Sequence, residues 1–121
     1  MLKDSLYKII SSDNAENRVK AVLEIDAANE IFLGHFPGQP VLPGACMLQI
    51  VKEVLEEIFR RKLRLQKASQ LKFLKMVDPT ISNLLNLDLS YDLEGDIIHL
   101  TANMSSAGDV CLKMKGDFVF I

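Results

Sequence analysis

The chain is 121 residues long, 49% apolar and 25% charged, the make-up of an ordinary soluble globular domain, so a single domain over 1–121 is the simplest division. A net charge of −2 argues against wholesale nucleic-acid binding, and no stretch is long and apolar enough to span a membrane. Met1-Leu2-Lys3-Asp4 is not followed by the apolar region of a secretory signal, and Cys46 and Cys111 lack metal-ligand spacing. Two buried thiols in a reducing, cytoplasmic compartment are expected, with no metal and no cofactor.

Residues 18–26 alternate, Val19, Ala21, Leu23 and Ile25 against Arg18, Lys20 and Glu24, which predicts a half-buried strand. Gly34 to Gly44 holds three prolines and three glycines and reads as fixed turn structure. A helix is predicted over 44–62, with Met47, Val51, Val54, Leu55 and Ile58 as one stripe. Its first half is apolar nearly all round and its second half is charged, so it should be embedded at its start and emerge at its end. Leu71 and Phe73 fall in one strand. Leu85, Leu87, Leu89 and Tyr91 alternate with polar residues in the next. Glu94-Gly95-Asp96 reads as a hairpin turn, followed at period two by Ile98, Leu100, Ala102 and Met104. Ser105 to Asp109 makes another turn, and Val110, Leu112, Met114, Phe118 and Phe120 form the closing strand. One long buried helix ahead of a meander of strands predicts an α+β fold with an antiparallel sheet. Met47, Met76, Met104 and Met114 are expected to fill the core, and His99 to face solvent from a strand's polar face.

The run His35-Phe36-Pro37-Gly38-Gln39-Pro40-Val41-Leu42-Pro43-Gly44, leading directly into the helix, resembles the active-site segment of the 3-hydroxyacyl-acyl-carrier-protein dehydratases. Lys72-Phe73-Leu74-Lys75-Met76-Val77 resembles that family's strand after the helix, although Asp78-Pro79-Thr80 follows where the family has Pro-Gly-Asp. The resemblance implies a hotdog fold, a curved antiparallel sheet around one central helix, assembled as a homodimer or higher homo-oligomer. It implies elimination of water from a 3-hydroxyacyl thioester to give a 2-enoyl thioester. The histidine and the acid of one site would come from different subunits.

That elimination needs a base, an oxyanion site and an acid. Neutral imidazole is a base near physiological pH, so His35 suits the first task. The resemblance gives the carbonyl of Val41 the task of setting its tautomer. No Ser, Thr, Asp or Asn caps the helix, so the first backbone N–H groups, at Gly44 and Ala45, are free for an outside acceptor. The resemblance assigns the Gly44 N–H to the thioester carbonyl. The acid is where the match fails. The family has Glu or Asp fourteen residues after the histidine, and here that position is Gln49. An amide hydrogen-bonds but does not protonate. Family members often carry Glu, then Gln four residues later, and here Gln49 is followed by Glu53, as if exchanged. Glu53, one turn on, has two readings: a displaced acid reaching the pocket, or a solvated or ion-paired helix residue with Lys52 or Arg60 nearby.

From Arg60 to Lys75 there are seven basic residues and no acid: Arg60, Arg61, Lys62, Arg64, Lys67, Lys72 and Lys75. An acidic acyl carrier protein would be steered by them, and cations near a helix C-terminus are also favoured by its dipole. The expected activity is therefore that of a dehydratase acting on carrier-bound 3-hydroxyacyl thioesters. The alternatives are a non-catalytic acyl-binding homologue, a heterodimer partner of an active homologue, and a hotdog thioesterase.

Overall fold

The computed structural model describes residues 1–34 and 40–121. Six strands form one antiparallel sheet: β1 (Tyr7–Ala15), β2 (Arg18–Ile25), β3 (Leu63–Phe73), β4 (Leu84–Glu94), β5 (Ile97–Ser106) and β6 (Asp109–Phe120). Their order across the sheet is β1-β2-β4-β5-β6-β3. A four-residue helix, α1 (Ile31–Gly34), precedes the 16-residue helix α2 (Gly44–Phe59). The expected α+β hotdog architecture is what the chain adopts: a curved sheet with one long helix.

Alternation turns one face of β2, β4 and β5 inward. Val19, Ala21, Leu23 and Ile25 of β2, Leu85, Leu87 and Leu89 of β4, and Ile98, Leu100, Ala102 and Met104 of β5 share one core with α2. Helix α2 has little local support. No side chain caps it, and it has neither an acid in its first turn nor a base in its last. Cys46, Met47, Ile50, Val51, Val54 and Leu55 are buried instead. Burial contributes about 1.5–3 kcal/mol for each large side chain, against about 1 kcal/mol for a good cap, so packing decides where this helix sits.

Helix α2 ends three residues before the predicted boundary. Arg60 takes a left-handed conformation (φ 53°, ψ 39°) and closes it. The buried Glu56 carboxylate accepts the Leu63 N–H at 2.8 Å, which turns the chain into β3. Arg60, Arg61 and Lys62 are thus a turn rather than helix, with the Arg61 guanidinium 4.2 Å from the centroid of the Phe120 ring.

Other boundaries moved too. Strand β3 begins at Leu63, well before Leu71, and ends at Phe73 instead of running on to Val77. Strand β1 and helix α1 were not anticipated. Gly95 (φ 59°) makes the expected β4–β5 turn. Ala107 (φ 51°) and Gly108 (φ 84°), both left-handed as a type I′ turn demands, make the β5–β6 turn. A register shift beside Met104 and Ser105 reverses the parity of β6, so Val110 is exposed and Cys111 is buried. Met47, Met104 and Met114 lie in the core as expected, whereas Met76 is 60% exposed. Among the described residues no helix is long and apolar enough to cross a membrane.

Candidate active site

His35, Phe36, Pro37, Gly38 and Gln39 lie outside the described residues, so the expected base is not placed. The remainder of the motif is. Leu42 N–H donates to the Val77 carbonyl at 2.9 Å, fixing the approach to α2. Pro43 holds extended backbone at the N-cap (φ −62°, ψ 145°). Among the described residues, the N–H groups of Gly44 and Ala45 have no acceptor; the next two, of Cys46 and Met47, turn back to the Pro43 carbonyl. Two free donors at the positive end of a helix can hold a developing oxyanion.

Gly44 lines an apolar cleft of about 500 Å³, together with Val41, Leu42, Pro43, Met47 and the 73–76 segment. Of the residues expected to bind substrate, Val41 and Gly44 line this cleft, while Ala45 is exposed and does not line it. The Phe73 ring packs so closely on Gly44 that a Cβ there would lie 2.9 Å from Phe73 Cε1 and Cζ. Glycine at this position lets the aromatic wall close on the helix start. Cys46, in the same turn, is buried and its thiol is pushed up by burial, which leaves it a poor nucleophile.

Gln49 is half-buried on α2 and donates its Nε2–H to Glu53 Oε2 at 2.8 Å. Glu53 is not the solvated or ion-paired residue considered from the sequence. It is 2% exposed and accepts from the Leu2 N–H (2.8 and 3.1 Å), the Lys3 N–H (2.9 Å) and the Tyr7 hydroxyl (3.1 Å). Burial alone would raise its pKa. The donors at Leu2, Gln49, Lys3 and Tyr7 outweigh that and hold the carboxyl below the usual carboxylate range. Its own burial, and after that the Glu53 carboxylate, push the Tyr7 hydroxyl far above the ordinary range. A carboxylate so held is ionised at neutral pH and has no proton to give.

The basic run is not one contiguous patch on the chain. Arg60, Arg61 and Lys62 stand at one end of β3, Lys72 and Lys75 at the other, roughly 30 Å apart at the rise of a strand. Arg64 and Lys67 lie between, with Lys67 opposite Asp117. Lys75, in the cleft wall, pairs with Asp109. Two cations outside the run join the cleft end. Lys113 is opposite Lys72, and Lys115 is opposite Gln70, both exposed on the outer face of β6. Their alternation with Leu112 and Met114 was the readable signal. His99, on the same outer face, is half-exposed but not alone, with Asp117 at 2.7 Å and Glu94 at 3.2 Å. Among the described residues no cluster of side chains has the make-up of a metal site.

A family model described as ApeI-like, ApeI dehydratase, matches residues 11–113. The chain belongs to the ApeI-like dehydratase family. It is 27% identical over 112 residues to a 3-hydroxyacyl-acyl-carrier-protein dehydratase, FabZ, of Wolbachia pipientis wMel, covering 87% of this chain. This ApeI-like chain spans 65% of that relative's length. Among solved structures it is similar to the dehydratase heterocomplex ApeI:P from Xenorhabdus doucetiae, with a TM-score of 0.77 and 22% identity over 92% of this chain and 96% of that one. It is also similar to a hypothetical thioesterase with coenzyme A from Streptococcus pneumoniae, with a TM-score of 0.70 and 8% identity over 95% and 85% of the two chains. Likeness at those identities is likeness of fold.

Proposed function

We propose that the chain binds carrier-linked 3-hydroxyacyl thioesters in the Gly44 cleft and supports their dehydration as one subunit of a dimer whose other subunit contributes the carboxylic acid. The observation that carries this reading is the state of the helix. Gln49 is an amide, and Glu53 is a buried carboxylate engaged by four donor residues. In this reading the Gly44 N–H group holds the thioester carbonyl, and His35, with its tautomer set by the Val41 carbonyl, removes the proton beside that carbonyl. Neither Gln49 nor Glu53 can then give the proton that must leave with the hydroxyl. A homologue bearing Glu or Asp at the Gln49 position supplies it, and the solved relative from Xenorhabdus doucetiae is itself a heterocomplex.

Strand β3 offers the edge for such pairing. It is 11 residues long, lies at the end of the sheet and exposes Leu71 and Phe73, with Leu74 and Met76 exposed just beyond it. An open edge of that length can take another strand, with its exposed apolar residues gathered at the Leu71–Phe73 end and Arg64, Lys67 and Lys72 along it. Two-fold antiparallel pairing of β3 with β3 would bring the Arg60–Lys62 end of one protomer to the Lys72–Lys75 end of its partner. The two halves of the basic run would then rejoin beside the cleft, where an acidic carrier would dock.

The test is to assay the purified chain with a 3-hydroxyacyl thioester, alone and co-assembled with a homologue carrying the carboxylate, following both enoyl product and free thiol. Little turnover alone, turnover in the mixed dimer, and loss of that turnover with His35→Ala in this chain are expected. Equal rates alone and mixed would overturn the reading, and free thiol without enoyl product would point to a thioesterase.

A further inference from the structure

Three side chains stand in one row on the outer face of the sheet: His99 on β5, Asp117 opposite it on β6, and Lys67 opposite Asp117 on the edge strand β3. The carboxylate in the middle is held by the histidine. Asp117 Oδ1 lies 2.7 Å from Nδ1 of the ring, and Glu94 Oε1 lies 3.2 Å from Nε2. With a carboxylate on each nitrogen, the ring donates to both only when it carries both protons. The charges that face it favour that state. Asp92 is opposite it on β4, Glu94 lies at the end of β4 and Asp117 is on β6, against one cation, Lys115, two residues before Asp117. The ring's pKa is accordingly raised, by Asp117 first and Glu94 second. Lys67 is exposed, and among the described residues it has no carboxylate within ion-pair distance.

We propose that Asp117 exchanges partners between His99 and Lys67, and that this exchange is a pH-sensitive switch on the pairing of β3 with β3 of a second copy of the chain. While the ring is charged, Asp117 stays on it and Lys67 is an uncompensated cation on an edge strand. A lysine so placed opposes strand addition. Ala68 is the middle residue of β3. Around a two-fold axis there, the Lys67 side chains of the two protomers form a diagonal like-charged pair about 7–8 Å apart. A neutral ring offers Asp117 one uncharged donor at most, so the Lys67 ammonium opposite becomes the stronger partner. Lys67 is then neutralised and the edge closes. Pairing therefore tightens as pH rises through the His99 titration. This rests on the reading of β3 as the pairing edge.

The experiment follows self-association of the full chain by sedimentation between about pH 5.5 and about pH 8.5, which spans the histidine range. Wild type is expected to dimerise about three- to tenfold more tightly at the upper pH, what one weak ion pair in each protomer is worth. His99→Gln leaves Asp117 to Lys67 at every pH and should keep the tight value throughout. Lys67→Gln removes the repulsion and should also be indifferent to pH. The Lys67 side-chain NMR signals should shift with the His99 titration in wild type and stay still in Asp117→Asn. A dimer of wild type indifferent to pH overturns the proposal alone. So does a pH dependence that survives in His99→Gln or in Lys67→Gln, or a Lys67 signal that ignores the charge of the ring. A chain that stays monomeric over the whole range overturns the reading of β3 as the pairing edge, and this proposal with it.

Discussion

Replacing Gln49 by Glu tests the account of the missing acid most directly. It swaps the Nε2–H donor for a second carboxylate oxygen about 2.8 Å from Glu53 Oε2. Two ionised carboxylates do not share that distance, so one of them must hold a proton. Glu53 keeps its Leu2, Lys3 and Tyr7 donors, all of which favour its charged form, so the proton goes to residue 49. Two charges about 4 Å apart repel by about 4 kcal/mol at an effective dielectric of 20, and screening at this half-exposed site leaves about 2 kcal/mol. That raises the new carboxyl by roughly 1.5 units, to about 6 from an ordinary 4.3. A protonated carboxyl close to neutrality is what a general acid requires, and such an acid is worth about 10²–10⁴ in rate. The chain carrying Gln49→Glu should gain at least about 10²-fold in enoyl formation, followed by ultraviolet absorbance, with activity falling as pH rises through about 6. The sign of the stability effect follows. A folded pKa raised above its unfolded value gives stability that is present below about pH 4 and lost as pH rises through the folded value. The variant should match wild type in acid and be about 2 kcal/mol less stable at pH 8 by denaturant unfolding. Unchanged turnover with substrate still bound would refute the reasoning.

Three further outcomes are expected. Lys72→Glu with Lys113→Glu should weaken binding of an acidic carrier and flatten its salt dependence by calorimetry, leaving a small free thioester untouched; equal loss for both ligands would place these charges in folding or chemistry instead. Gly44→Ala forces a methyl to 2.9 Å from the half-exposed Phe73 ring, which can swing aside, so the cost in unfolding free energy should be only about 1 kcal/mol, accompanied by weaker acyl binding in the reshaped cleft. The His99 imidazole is raised by Asp117 first and Glu94 second, so its contribution to stability is present below the ordinary histidine value and lost as pH rises through the raised one; Asp117→Asn should bring the titration seen by NMR back down.

Strands facing one side of the core were legible because alternation survives there: β2, β4 and β5 carry it almost unbroken, and Gly95 marks the turn between two of them. The edge strands were not. Strand β1 is exposed on both faces after Ile9, so it has no period to read. Strand β3 breaks its period with two register shifts, beside Gln66 and Ser69. The end of α2 depends on a contact from Glu56 to Leu63, and no local propensity at Arg60–Lys62 announces it. In the site, the Gly44 entry and the departure at Gln49 were visible as residues. The status of Glu53 was not, because three of its four partners come from Leu2, Lys3 and Tyr7, some fifty positions earlier in the chain.

That long-range contact explains why exchanging Gln and Glu along one helix face is more than a permutation. Position 53 is buried against two backbone N–H groups and a hydroxyl, and position 49 is half-exposed. A carboxylate at 53 accepts from all of them at once, through two oxygens. An amide there has one accepting oxygen and turns its own donor towards others. Reversing the order, with Gln49→Glu and Glu53→Gln together, should therefore separate chemistry from stability. The acid at 49 would face a neutral neighbour, so its pKa should return to the ordinary glutamate range and the rate gain of Gln49→Glu should shrink. The anchor of the N-terminal segment would lose charge-assisted hydrogen bonds worth about 1.5–3 kcal/mol each, so the reversed protein should unfold more readily than Gln49→Glu at pH 5, with faster amide exchange at Leu2 and Lys3. If the reversed chain proved as stable as wild type with those amides still protected, the N-terminal segment would be held by its apolar contacts, and the ionised state of Glu53 would lose its structural reason.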